Sequence, residues 1–336
     1  MKLSIITINY NNAEGLRKTL ASVASQTYPN IEHIIVDGAS TDGSVDVIRE
    51  YVKASPQPSL EGKVRHIIWS SEPDKGIYNA MNKGIEIALG KRIVNSFNRS
   101  ELVEDKNKGR EMGINSFNRS ELAASTPYTV HPTPSQLCEH YIQILNSGDL
   151  LAAPDVTERM MAALNELMNE GVNELREVPI LYGNMIKKDY TTGRILGKST
   201  EVEYSLRQYY ASTMNHDCCY IRRDLFETYG LYDESLKIVS DWKWFLQAIG
   251  LGRVKPVYVD IDVTIFDASG ISETNLALRN QERRQVLEKL IPPAVLADYD
   301  AHAFEMELMK RLRRWKLYPL VFFIERVLFK LEKWLK

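Results

Sequence analysis

The chain has 336 residues, of which 42 are Lys or Arg and 44 are Asp or Glu, and its formal net charge of −2 argues against a nucleic-acid-binding protein whose whole surface is basic. With 44% hydrophobic and 26% charged residues it has an ordinary globular balance, and its length predicts one large domain with appendages or roughly two domains. The three cysteines fit no disulfide framework or zinc spacing, and the N-terminus lacks a signal-peptide pattern, so we expect a cytoplasmic protein.

Three units of strand, loop and helix open the chain. Compact apolar runs predict strands over residues 3–8, 31–36 and 64–69, and apolar residues at helical spacing predict a helix after each of them. Repeated units of this kind form a doubly wound α/β sheet. We therefore predict a Rossmann-like, mostly parallel sheet with helices on both faces.

The repeat stops between about residues 91 and 139. The octapeptide Asn-Ser-Phe-Asn-Arg-Ser-Glu-Leu occurs there twice, at residues 95–102 and again at 115–122. We interpret this segment as an insertion with a local duplication. Either a tolerated surface insertion or a substrate lid fits that interpretation.

The strand pattern resumes at residues 141–145, and Asp149 stands just past the end of this predicted strand. Open α/β sheets bind ligands at the carboxyl ends of their strands, where an acid can hold a divalent cation and a phosphate-bearing substrate. An Asp that caps the following helix is the alternative.

Further elements follow as far as residue 272. The pattern predicts a helix over residues 154–169, a strand over 180–186, a strand-like segment at 214–221 and a strand pair within 257–266. Ser240 is a plausible cap of a helix that has Asp241 in its first turn. From residue 273 the chain is predicted to be helical.

Five sequence blocks, in order, resemble glycosyltransferase family 2. They are Ser4-Ile5-Ile6-Thr7-Ile8-Asn9-Tyr10-Asn11, Val36-Asp37-Gly38-Ala39-Ser40-Thr41-Asp42, Asp74-Lys75-Gly76 with Asn79 and Asn82, Leu145-Asn146-Ser147-Gly148-Asp149, and Ser240-Asp241-Trp242. The resemblance covers roughly residues 1–90 and 140–272. It implies a GT-A fold, an inverting transfer from a nucleoside-diphosphate sugar, and a diphosphate site that depends on Mg²⁺ or Mn²⁺.

The resemblance also implies a set of nucleotide-sugar-binding residues. They are Thr7, Asn9, Asp37, Ser40, Lys75, Gly76, Ser147 and Asp149. The carboxylate of Asp37 can accept from a base N–H, although a turn-forming role before Gly38 is also open. The ammonium of Lys75 suits a diphosphate, or else it is solvated surface.

The metal and the base are assigned by the same resemblance. Asp149 matches the last acid of the family's Asp-x-Asp motif, but Ser147 stands where the motif has its first acid. His216 could reach the metal, or it could be a structural histidine of the core. Asp241 matches the general base, although many relatives carry Glu where this chain has Ser240, and a helix-dipole role is the alternative.

The last 32 residues, 305–336, form a basic and amphipathic tail. They contain nine basic and four acidic residues, and apolar residues at helical spacing follow Pro319. Such a helix can lie on an anionic membrane surface, or it can dock on the main domain or on a second subunit. Its longest uncharged stretch is too short to span a bilayer.

We therefore expect a GT-A domain over residues 1–272 and a helical extension over 273–336. The expected function is that of an inverting hexosyl- or N-acetylhexosaminyltransferase, which moves a sugar from a nucleoside-diphosphate donor. The preferred donor is expected to be a UDP-sugar. The expected acceptor is a glycan or lipid-linked glycan in surface polysaccharide biosynthesis, with the enzyme peripheral on the inner face of the cell membrane and without a nucleic-acid partner. The alternatives are a sugar-phosphate nucleotidyltransferase, which usually has a Gly-rich first loop, and a non-catalytic glycan- or membrane-binding scaffold.

Overall fold

The computed structural model describes residues 1–55, 66–94, 140–169, 178–190, 192–268, 275–315 and 318–335. The strands are β1 Lys2–Asn9, β2 Ile31–Asp37, β3 His66–Ser71, β4 His140–Ile144, β5 Leu150–Leu151, β6 Ile180–Lys188, β7 Ile195–Ser199, β8 Cys219–Arg222 and β9 Val257–Asp267. The helices are α1 Ala13–Ala24, α2 Ser44–Ala54, α3 Ile77–Ala88, α4 Val156–Asn169, α5 Leu206–Ala211, α6 Leu225–Thr228, α7 Ser240–Phe245, α8 Leu276–Leu290, α9 Pro293–Arg314 and α10 Tyr318–Leu335.

All nine strands belong to one sheet, in the order β3-β2-β1-β4-β8-β6-β9-β5, with β7 paired to β6. The first four strands pair in parallel, as the repeated units predict. From β8 onward the sheet is mixed, because β8 runs antiparallel to both β4 and β6 while β9 is parallel to β6. The α/β fold class is confirmed, and the parallel pairing is concentrated in the first half of the chain.

Helices cover both faces of the first four strands. On one face, Leu16 and Leu20 of α1 pack with Ile35 of β2 and with α2. On the other face, α3 approaches β1 so closely that a Cβ on Gly84 would lie 2.4 Å from the side chain of Ile6. The period-two alternation of strand side chains explains both layers.

Three local predictions are wrong. Residues 214–221 are not one strand, because a 3₁₀ turn at His216–Cys218 precedes β8. A single long strand, β9, replaces the expected pair. Ser240 does not cap its helix; it is the first residue of α7, and its hydroxyl accepts from the backbone N–H of Asp233.

The chain divides into two compact units, Met1–Arg279 and Asn280–Lys336. The predicted boundary near residue 272 lies within residues 269–274, outside the described part of the chain, and so stays a prediction. Most of the interpreted insertion, residues 95–139 with both octapeptides, lies outside it too. In the second unit, Pro293 opens α9 and the side chains of residues 319–334 in α10 are exposed.

Candidate functional site

A cavity of about 740 Å³ opens at the carboxyl ends of β1 and β4. Its lining residues come from the ends of β1 and β9, from the loops after β1, β2, β3 and β4, from the first turns of α3, from the 3₁₀ turn, and from α7 with the segment before it. Six of the predicted site residues line it: Asn9, Gly76, Ser147, Asp149, His216 and Asp241. Residues far apart in the sequence thus meet at the sheet edge where α/β folds bind ligands.

Asp37 is fully buried and does not line the cavity. Its Oδ1 accepts from Asn9 Nδ2 at 2.8 Å and from Ser40 Oγ at 2.6 Å. Its Oδ2 accepts from the backbone N–H of Ser40 at 3.0 Å and from Ser71 Oγ at 2.6 Å. Because protein donors occupy both oxygens, Asp37 ties together the loops that follow β1, β2 and β3.

Three other predicted residues also lie outside the cavity lining. The hydroxyl of Thr7 is buried and lies 3.0 Å from His33 Nε2, on the face of the sheet covered by α2. Ser40 Oγ accepts from the backbone N–H of Asn11 at 2.8 Å. Lys75 is exposed beside the cavity. Their contact with a nucleotide stays a prediction.

Tyr10, Gly38 and Asp74 form a polar and aromatic corner of the cavity that we did not predict as a binding site. Tyr10 lines the cavity and is 67% exposed. A Cβ on Gly38 would lie 2.5 Å from Asp74 Oδ2 and 3.0 Å from Tyr10 Cδ2, so both side chains close over the glycine. Asp74 Oδ1 accepts from the backbone N–H of Gly76 at 2.9 Å, whereas no described residue hydrogen-bonds Oδ2.

Asp149 lies almost fully buried on the wall of the cavity. Its Oδ1 accepts from the backbone N–H of Asp267 at 3.0 Å, and no described residue hydrogen-bonds its Oδ2. Burial, followed by the negative charge of Asp217, raises the pKa of Asp149 to about 8. A nearby cation would therefore favour the ionised form of this carboxylate.

The donor set around Asp149 is too small for a metal cage made by protein alone. Within the described ranges, no three His, Cys, Asp or Glu side chains are arranged to hold a metal ion. A carboxylate that shares the ion with diphosphate oxygens and waters still suits Mg²⁺ or Mn²⁺, because Mg²⁺ usually keeps several waters. The residues thus fit a cation that is bound together with a diphosphate.

Asp241 is held at both of its carboxylate oxygens. His216 Nδ1 lies 3.1 Å from Oδ2, and the Tyr78 hydroxyl donates to Oδ1 at 2.8 Å. Burial by itself lowers the pKa of His216, but the hydrogen bond to Asp241 and its charge raise the pKa to about 9. Burial raises the pKa of Asp241, but His216 and then Tyr78 outweigh burial and hold it below its usual value. Asp241 is therefore ionised at neutral pH.

The comparisons with known proteins agree with this geometry. The model of the family described as glycosyl transferase family 2 matches residues 4–96. An uncharacterized glycosyltransferase of Mycobacterium tuberculosis is 25% identical over 272 residues, which are 80% of this chain and 76% of the relative.

Two solved structures have the same fold. S. aureus TarS in complex with UDP-GlcNAc has a TM-score of 0.51 and 14% identity, over 85% of this chain and 64% of that one. The mannosyltransferase PcManGT from Pyrobaculum calidifontis, in complex with GDP-Man and Mn²⁺, has a TM-score of 0.50 and 15% identity, over 95% and 82%. Fold and relatives together define a glycosyltransferase with the GT-A fold. Residues 4–96 resemble glycosyl transferase family 2, and the chain is similar to glycosyltransferases over most of its length.

Proposed function

We propose that this enzyme transfers a sugar, with inversion, from a UDP-sugar to a hydroxyl of a membrane-associated glycan. The observation that carries the proposal is that Asp149 and Asp241 line one cavity at the carboxyl edge of the sheet. One carboxylate suits a cation-bound diphosphate, and the other is ionised and can take a proton. Relatives in complex with UDP-GlcNAc and with GDP-Man support a nucleotide-sugar donor.

The nucleoside would bind at the corner formed by Tyr10, Gly38 and Asp74. The exposed ring of Tyr10 offers a stacking surface for the base. Asp74 Oδ2 only accepts when it is ionised, so it favours a base with an N–H donor at position 3, as uracil has. Cytosine presents a lone pair at that position and is expected to bind more weakly.

A divalent ion would be held by Asp149, by the diphosphate and by waters, and by His216 Nε2 in the neutral form that a bound cation would favour. Bound there, Mg²⁺ or Mn²⁺ would neutralise the charge that develops on the departing nucleoside diphosphate. Ser147 stays close to this position because its backbone N–H donates to Ile8 O at 3.0 Å and its carbonyl accepts from Asn12 Nδ2 at 3.0 Å.

Asp241 would act as the general base of a single displacement. The acceptor oxygen forms a bond to the anomeric carbon as the bond from that carbon to the diphosphate oxygen breaks, and the hydroxyl proton passes to Asp241. The two products are the extended glycan and UDP. This single displacement inverts the configuration at the anomeric carbon.

Support for a membrane-associated acceptor comes from α10. Its exposed apolar side chains include Phe323, Leu331 and Trp334, and the tail over residues 305–336 is rich in Lys and Arg. An amphipathic helix with cations and aromatic residues binds at anionic lipid surfaces. No helix of the described chain is both long and apolar enough to cross a bilayer.

Binding of nucleoside diphosphates tests the donor site directly. UDP is expected to raise the melting temperature by mass action, more with Mn²⁺ than without, and more than CDP does. Asp149→Asn should lose the Mn²⁺-dependent part of this increase, whereas Asp46→Asn, on the exposed face of α2, should keep it. Absence of any shift with UDP, GDP, CDP or ADP in the presence of Mn²⁺ would contradict the proposal.

A further inference from the structure

Helix α3 supports the segment that carries Asp241. Asn82 accepts from the backbone N–H of Tyr232 and donates to its carbonyl, both at 2.9 Å. Asn79 and Asn82 each donate to the carboxylate of Glu234 at 2.9 Å. The chain that leads into α7 is thereby fixed to a helix that begins directly after the loop of Asp74 and Gly76.

Tyr78 extends this support to the catalytic carboxylate itself. Its side chain is 5% exposed, and its hydroxyl lies 2.8 Å from Asp241 Oδ1 and 2.6 Å from the carbonyl oxygen of Ile238. One hydroxyl thus contacts both the base and the backbone three residues before it. A phenylalanine ring would fill the same space without either contact.

Two anchors are needed to fix the plane of a carboxylate. His216 holds Asp241 at Oδ2 only, and a carboxylate held at one oxygen can still turn about its Cβ–Cγ bond. The contact from Tyr78 to Oδ1 removes that freedom. A carboxylate has about four lone-pair positions, so these contacts and the backbone N–H of Trp242 still leave room for an acceptor hydroxyl.

We propose that Tyr78 is a positioning residue for the transfer step, which orients Asp241 toward the acceptor hydroxyl while taking no part in donor binding. The inference rests on the proposed role of Asp241 as the base. Misplacing a reacting group by about 1 Å can cost on the order of 100-fold in rate. Loss of the Tyr78 hydroxyl is therefore expected to lower kcat by about 10- to 100-fold.

The chain offers a matched control for this substitution. Tyr232 is also buried, and its ring centroid lies 5.7 Å from that of Tyr78. No described residue hydrogen-bonds the Tyr232 hydroxyl. Tyr232→Phe therefore removes a hydroxyl from the same packed region without removing a contact to Asp241.

The test measures UDP release from UDP-glucose, UDP-galactose and UDP-GlcNAc, with water in place of the acceptor. Rates are expressed per UDP-binding site counted by calorimetry, so that unfolded protein lowers the count of sites and leaves kcat unchanged. Tyr78→Phe should lower kcat about 10- to 100-fold with donor KM and UDP Kd unchanged. Tyr232→Phe should stay within about twofold of the unsubstituted chain.

The possible failures are distinguishable. If Asp241→Asn abolishes UDP release and Tyr78→Phe does not lower kcat relative to Tyr232→Phe, the role of Tyr78 is overturned and the base assignment stands. A rise in donor KM equal to the loss in kcat/KM would also overturn it, because Tyr78 would then serve binding. If the unsubstituted chain releases no UDP from any of the three donors, the proposed function itself fails.

Discussion

The carboxylates of Asp37 and Asp74 lie at and just beyond the ends of the neighbouring strands β2 and β3. Asp37 is buried and accepts hydrogen bonds at both oxygens, so it organises three loops. Asp74 lines the cavity and keeps Oδ2 without a partner among the described residues. The two acids therefore differ in their environment, and the contact of Asp37 with a base stays a prediction.

Gly38→Ala tests this corner of the cavity. The new Cβ would lie 2.5 Å from Asp74 Oδ2 and 3.0 Å from Tyr10 Cδ2, so both side chains must move away from the base. Calorimetry should show UDP affinity reduced by about tenfold or more, which is about 1.4 kcal/mol. Gly197→Ala, where a Cβ meets open space, is the control and should leave affinity unchanged. Equal affinities of the two variants would place the base elsewhere.

Asp149 was predictable because it stands in a short block just after a strand, whereas Asp241, in the first turn of a helix, was assigned from the resemblance of its block to the family. Both line the cavity. Tyr78 could not be predicted, because its partner Asp241 is 163 residues away and local periodicity carries no information about that contact. Lys75 was predicted from its motif, yet which way an exposed side chain turns depends on the loop and not on the motif.

At the scale of elements, the first half of the sheet was predictable and the second half was not. The units of strand, loop and helix dictate parallel neighbours, as β1 to β4 show. The strands that pair with β8 and β6 are set by packing between segments that are distant in the sequence. The pattern of a strand does not indicate whether its neighbour runs parallel or antiparallel to it. The 3₁₀ turn that carries His216 is three residues long, which is too short to show a periodic pattern.

Helix α10 carries exposed apolar side chains that are expected to bind an anionic lipid surface. Phe323→Glu with Leu331→Glu places two charges among its exposed apolar side chains and should abolish sedimentation with vesicles that contain 30% phosphatidylserine. The matched control, Ile195→Glu with Leu196→Glu, changes two exposed residues of β7 in the same way and should sediment like the unsubstituted chain. Deletion of residues 305–336 should likewise abolish sedimentation with these vesicles. Equal sedimentation of every variant would contradict membrane binding. A change in oligomeric state that is confined to Phe323→Glu with Leu331→Glu would show instead that α10 contacts a second copy of the chain.

At the scale of the whole catalytic unit, the cavity lies where the sheet changes from parallel to mixed. Strand β4 pairs in parallel with β1 and antiparallel with β8. Asp149 follows β4, and His216 precedes β8. The parallel half of the sheet thus supplies the proposed nucleoside corner, while the mixed half supplies His216 and the segment that carries Asp241.

We propose that donor binding and proton removal belong to different carboxylates of this one cavity. Asp241→Asn tests it most directly, because asparagine keeps the shape of the side chain and an acceptor oxygen for Tyr78 but cannot take a proton. UDP with Mn²⁺ is expected to bind this variant within about twofold of the unsubstituted Kd, while UDP release from the donor falls at least about 100-fold. Retained release, or a loss of binding as large as the loss of release, would contradict it.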